Sequence, residues 1–185
     1  MRKKTNIDFG NFVKILNRNK EVLYEISDNK IAFCDKHGTV CVIMDDPQYV
    51  MDTLKSRRVK MTEKKDLYRA ITEIVMHNEK TDSISDTKVT LPCWSSDGYR
   101  PCNVFTANNQ EDFMIFDDRR IAVLKDYDLA VGWFEKQCAT FISENSYVVV
   151  FAVKPNENDA FRNVQLLASI TVYCGKFIKK AENVS

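Results

Sequence analysis

Along the first forty-five residues the spacing of apolar positions changes period. Phe9, Phe12, Val13 and Leu16 recur at helical spacing behind Asp8, a residue suited to an N-cap, so a short extended Asn6-Ile7-Asp8 and a helix are predicted. Glu21-Val22-Leu23-Tyr24-Glu25-Ile26 then alternates with period two, and Asp28-Asn29 supplies a two-residue turn that tolerates positive φ. Lys30 to Asp35 and Thr39 to Met44 read as two further strands around the turn Lys36-His37-Gly38. The predicted order is βαβββ.

The last third predicts that order again. Arg120 to Leu124 reads as a strand, Asp126 to Phe134 as a helix, and 139–143, 147–153 and 164–173 as three strands, the last two joined by the polar loop 154–162. At an offset of 116, Ile26-Ser27-Asp28-Asn29 matches Ile142-Ser143-Glu144-Asn145, Val13 meets Leu129 and Ile15 meets Val131. An internal duplication follows, with units at 6–44 and 120–173 in one domain spanning 1–185.

The insertion at 45–118 has no counterpart. Pro47 opens a helix through Leu54, and a stronger helix is expected from Glu63 to His77, capped by Thr62, with Leu67, Ala70, Ile71, Ile74 and Val75 on one face. A polar connector covers 78–88, and Val89-Thr90-Leu91 is a short strand. Residues 103–107 and 112–116 form a hairpin around Asn108-Asn109-Gln110, expected to extend the main sheet or to cover one of its edges.

Composition sets the class. With 44% hydrophobic and 11% aromatic residues, 5 Gly and 4 Pro, the chain has the makings of a folded core and not of a disordered or fibrous protein. No apolar run approaches the length of a membrane span, and the basic Met1 to Lys4 leads into Ile7-Asp8-Phe9-Gly10 instead of an apolar signal segment, so no membrane partner and a cytoplasmic location are expected. Charge is balanced overall, 27 Lys+Arg against 26 Asp+Glu, but unevenly placed. Lys55, Arg57, Arg58, Lys60, Lys64, Lys65 and Arg69 face only Glu63 and Asp66 within fifteen residues, a local +5 that suits a phosphate backbone or an acidic partner. Such a cluster is also what a solvated surface carries.

Chemistry of the catalytic kind is sparse. His37 falls in a turn and His77 at a helix end, and neither lies in a nucleophile motif. The pairs Asp45-Asp46, Glu111-Asp112 and Asp117-Asp118 offer oxygen ligands but sit where turns and helix starts favour acids anyway. The five glycines make no phosphate-cradling loop. The six cysteines lack chelate spacing and lie mostly in apolar runs, as buried thiols do; Cys93 and Cys102 flank the segment 94–101 and could meet across it. Within that segment Trp94, Tyr99 and Arg100 form a candidate partner anchor. No catalytic residue, metal site or cofactor is assigned.

A tandem βαβββ, with both helices on one side of a continuous antiparallel sheet, resembles one domain of the DNA sliding clamps, the processivity factors that ring duplex DNA. The closing strands Tyr147 to Phe151 and Val164 to Ile170 also resemble the ends of small clamp-like proteins carried by bacteriophages of Gram-positive hosts. The resemblance is topological and covers roughly half the chain. It implies an α+β, DNA-clamp-like fold with a helical and hairpin insertion, and a ring would need six copies of this chain as a homo-oligomer. The first helix carries Lys14, Arg18 and Lys20 near its end, as a DNA-facing helix should, whereas Asp126, Asp128 and Glu135 outnumber Lys125 and Lys136 on the second. The expectation is a non-enzymatic clamp-like binding protein of a phage or mobile element, in the host cytoplasm, acting on DNA or a nucleoprotein complex. Its rival is a phage-encoded inhibitor of a host defence nuclease, of the anti-CRISPR type, acting by protein binding.

Overall fold

The computed structural model describes residues 6–95, 98–107 and 112–153, with backbone alone at 89, 91–95 and 98–100. In chain order the elements are α1 (Phe9–Ile15), β1 (Glu21–Ser27), β2 (Lys30–Asp35), β3 (Val40–Asp45), α2 (Pro47–Ser56), β4 (Lys60–Glu63), α3 (Leu67–Asn78), β5 (Ile84–Ser95), β6 (Gly98–Ala107), β7 (Phe113–Asp117), α4 (Asp118–Ile121), β8 (Leu129–Trp133), β9 (Cys138–Ser143) and β10 (Ser146–Phe151). They build an α+β structure with a seven-stranded sheet ordered β4-β1-β2-β3-β10-β9-β8 and a three-stranded sheet ordered β5-β6-β7.

The helix and three strands of the first unit form as their periodicity dictates, while its leading strand is reduced to one isolated bridge at Ile7. The Asp8 carboxylate accepts from the Asn11 amide at 3.0 Å and caps α1, and Ile7 bridges Leu124. That amide, more than nearby Lys125 and Lys14, holds the Asp8 carboxyl below its ordinary value. The cap therefore contributes above the usual carboxylate range and is lost as pH falls through the lowered folded value. Asp28 and Asn29 take φ of 48° and 61°, the left-handed pair a two-residue hairpin needs. Buried Asp35 fixes the next turn: Oδ1 accepts from the Val40 amide at 2.7 Å and the Thr39 hydroxyl at 3.1 Å, and Oδ2 from the His37 amide at 3.1 Å.

Strand alternation assigns two cores. Ile31, Phe33, Val40, Val42, Phe141, Val148 and Val150 point to the face covered by α1, α2 and the small sheet, through Phe12, Leu54, Phe105, Met114 and Phe116. Ala32, Cys34, Cys41, Ile43, Cys138 and Val149 point to the opposite face, where Ile71 and Val75 of α3 cover them. Buried Asn78 pins the end of α3 by donating to the Thr140 hydroxyl at 2.7 Å.

The second predicted unit is corrected. The segment read as a strand over 120–124 begins instead with α4, because Asp117 caps it by accepting from the Arg119 amide at 2.9 Å. The segment read as a helix over 126–134 contains β8, whose five residues pair with Cys138–Ile142 of β9. Five residues with Gly and Val are a poor helix and a good strand once a partner is present. Hairpin β9–β10 does lie at the predicted offset from β1–β2, yet β10 pairs with β9 on one side and β3 on the other, so both its edges are filled. The loop and strand expected at 154–162 and 164–173 lie outside the described residues.

Three further expectations change. Only one of the two repeat helices, α1, is present, because β8 stands where the other was expected, and the sheet is mixed and not antiparallel throughout because β4 pairs parallel with β1; the insertion helix α3 lies opposite α1 and α2. Thr62 and Glu63, expected as the cap and first residue of the second insertion helix, belong to β4 (Lys60–Glu63), and α3 begins after Asp66. The β6–β7 hairpin forms, but with a twelve-residue β5 it makes its own sheet on a face of the larger one; at the β8 edge Ser83 bridges Val131 and the Gly132 amide donates to the Asp82 carbonyl at 3.2 Å. At that junction a Cβ on Gly132 would stand 2.9 Å from Ile84 Cγ2 and press into the Met114 methyl. Gly132→Ala is expected to destabilise the fold by about 1–2 kcal/mol in urea unfolding, since a β-branched methyl cannot swing aside.

Candidate nucleic-acid interface

The basic segment is a strap around one sheet edge. Helix α2 starts at the end of β3, capped by the Asp46 carboxylate on the Tyr49 amide at 3.1 Å, and runs back toward the start of β1. It ends as the Arg57 and Val59 amides donate to the Leu54 carbonyl and Arg58 turns left-handed at φ 58°. Buried Val59 anchors the exit. The chain then joins β1 as the edge strand β4, with the Lys60 amide on the Lys20 carbonyl at 2.9 Å and the Lys64 amide on the Tyr24 carbonyl at 2.8 Å. It enters α3 where the Glu25 carboxylate accepts from the Tyr68 amide at 2.7 Å. Because α2 and α3 cover opposite faces, residues 55–66 pass from one face to the other around the edge.

All seven predicted cations, Lys55, Arg57, Arg58, Lys60, Lys64, Lys65 and Arg69, are exposed on this strap and its flanks. Two are engaged. Lys60 lies 3.5 Å from Glu21, and Arg69 lies 3.6 Å from Asp66 and 3.8 Å from Glu73. Glu21 is held ionised chiefly by the Thr62 hydroxyl, then by Lys60 and Lys36. Among the described residues, Lys55, Arg57, Arg58, Lys64 and Lys65 meet no carboxylate within ion-pair distance. Exposed Lys20, drawn in by its carbonyl bond to Lys60, extends the basic surface toward Arg18. Part of this charge has local duties: Lys55 complements the C-terminal dipole of α2, and Lys60 blunts a sheet edge.

Trp94, Tyr99 and Arg100 are not in a loop but in the paired ends of β5 and β6, with Trp94 opposite Tyr99 and Cys93 opposite Arg100. They belong to the small sheet and do not join the strap. Cys102 pairs with Leu91, two positions from Cys93, so the two cysteines are not cross-strand partners.

The other titratable groups are used by the fold. Asp45 pairs with Lys30 at 3.6 Å, Asp46 caps α2, and Asp117 holds Arg119 through two bonds of 3.1 and 2.8 Å. Asp118 accepts from Asn103 at 2.8 Å. Among the described residues no three His, Cys, Asp or Glu side chains are grouped to hold a metal. His77 stacks on Trp133 with centroids 3.5 Å apart, beside Lys136, at a cleft of about 360 Å³ floored by Cys138 and Phe151. That cluster and strand β4 escaped the sequence reading. For β4 a signal existed, since Val59 and Met61 alternate with Lys60 and Thr62; for the stack none did, because its members are 56 residues apart.

No helix among the described residues is long and apolar enough to cross a membrane. No protein-family model, curated protein or solved structure matches this chain.

Proposed function

We propose that this is a non-enzymatic binding protein that engages DNA, alone or within a nucleoprotein complex, through the strap at 55–65. The observation that carries the reading is the set of five exposed cations free of carboxylate partners among the described residues, wrapped around a sheet edge. A cation that neutralises a phosphate releases counterions condensed on the DNA, and that release drives association; a cation held by a carboxylate must first give up that partner. The likeness to a sliding clamp rests on the run α1-β1-β2-β3 and on hairpin β9–β10, while the absent leading strand, the missing second helix and the filled edges of β10 speak against a full tandem.

Light scattering on a sizing column, with and without a short duplex, tests the reading. The duplex should co-elute with the protein at about 50 mM salt and separate by about 500 mM. A protein that never shifts the duplex at the lower salt overturns it, and a six-copy mass would return the ring to consideration. The nuclease-inhibitor reading is favoured by the cleft at the β1–β2 turn, where Asp28, Asp45 and Asp46 gather around Lys30 and the Asp45 amide meets the Asn145 carbonyl of the second hairpin. A stoichiometric complex with a nuclease in the same experiment would support it.

A further inference from the structure

The β2–β3 hairpin holds a matched pair of thiols that the proposed function does not use. Cys34 and Cys41 face each other directly across the two strands, one pair in from the turn, and both point to the α3 face. The pairing class follows from the backbone. The two-residue turn at Asp28-Asn29 makes Ser27 and Lys30 a hydrogen-bonded pair, so even-numbered residues of β2 bond toward β1 and odd-numbered ones toward β3. At the other end the Val40 amide points inward to Asp35, which agrees. Cys34 and Cys41 are therefore a non-hydrogen-bonded pair, the class in which Cα atoms lie about 4.5 Å apart and side chains are nearest, inside the disulfide range of about 4.4–6.8 Å. Both thiols are buried, and the Cys41 thiol donates to the Gly38 carbonyl in the turn at 3.5 Å.

We propose that Cys34 and Cys41 form a dithiol site that closes to a disulfide by exchange with a small-molecule disulfide. One thiolate attacks the reagent and releases one small thiol, leaving a mixed disulfide. The second thiolate attacks the protein sulfur of that bond and releases the other small thiol. The protein loses two hydrogens and the reagent gains them. The bond to Cys34 and then burial push the Cys41 thiol well up, so exchange is slow and passes through opening of the turn at exposed Lys36 and His37. Once closed, the bridge staples two central strands beneath Ile71 and Val75 of α3.

Trypsin separates the two cysteines at Lys36, so peptides 31–36 and 37–55 join only through this bridge. The folded chain is incubated for hours with hydroxyethyl disulfide in native buffer, free thiols are then blocked, and the digest is weighed. The linked pair is expected, about 2 Da lighter than the two peptides together, and dithiothreitol should release it. Both peptides recovered blocked or carrying the reagent, or a link that forms only in denaturant, would overturn the proposal. Cys41→Ser must abolish the linked species.

Discussion

Changing Arg57, Arg58, Lys64 and Lys65 together to Glu should abolish DNA binding while leaving the fold nearly as stable. The four side chains are exposed and lack carboxylate partners among the described residues, so their loss unpairs nothing. Each phosphate contact removed should lower the slope of log affinity against log salt by about 0.9, and affinity at about 50 mM salt should fall by about a hundredfold or more. The stability cost should stay near 1 kcal/mol, most of it from an acid placed at the C-terminus of α2. Binding titrations by fluorescence anisotropy, paired with urea unfolding, separate the two effects. An unchanged slope would remove the strap from the binding surface. Changing Lys60 instead should do less, because Lys60 is already matched with Glu21 at 3.5 Å.

The second large effect is on stability. Phe141 is 1% exposed and stands where the two sheets meet, with ring centroids 5.5 Å from Phe105, 6.2 Å from Phe116 and 5.1 Å from Tyr127. All three contacts are edge-to-face, the geometry that adds to simple area burial. Phe141→Ala should cost about 4 kcal/mol, the lost transfer free energy plus a cavity that neighbours on two rigid sheets cannot fill. That is a large share of the roughly 5–15 kcal/mol that holds a domain of this kind together. Phe141→Leu should recover most of it. A loss below about 1 kcal/mol for the alanine variant would mean the two sheets do not share this core.

What could be read from the sequence divides at about residue 56. The run from α1 to α2 was legible because each element carries its own local instruction: Asp8 and Asp46 as caps, Asp28-Asn29 as a turn, clean alternation in the strands. Beyond that point α3, β9 and β10 still follow their own patterns, while the rest depends on partners far along the chain. Residues 129–133 carry apolar positions compatible with a helix, and only pairing with β9 makes them a strand. Lys60–Glu63 alternates as a strand does, but its pairing with β1 lies about forty residues back and is not written locally. The small sheet shows the same limit, since its strands were visible in part but its place on a face was not. The seven cations of the candidate interface were visible as charge. Their wrapping around an edge, and which of them Glu21, Asp66 and Glu73 neutralise, needed the fold.

The central claim concerns where a polyanion binds, and amide hydrogen exchange on the whole chain tests it most directly. Exchange is followed with and without a short DNA duplex at about 50 mM salt. Slower exchange confined to residues 55–66 and the adjoining 18–20 is the result this account predicts. Protection centred on the β5–β6 hairpin or on α3, or a pattern unchanged by the duplex, would contradict it.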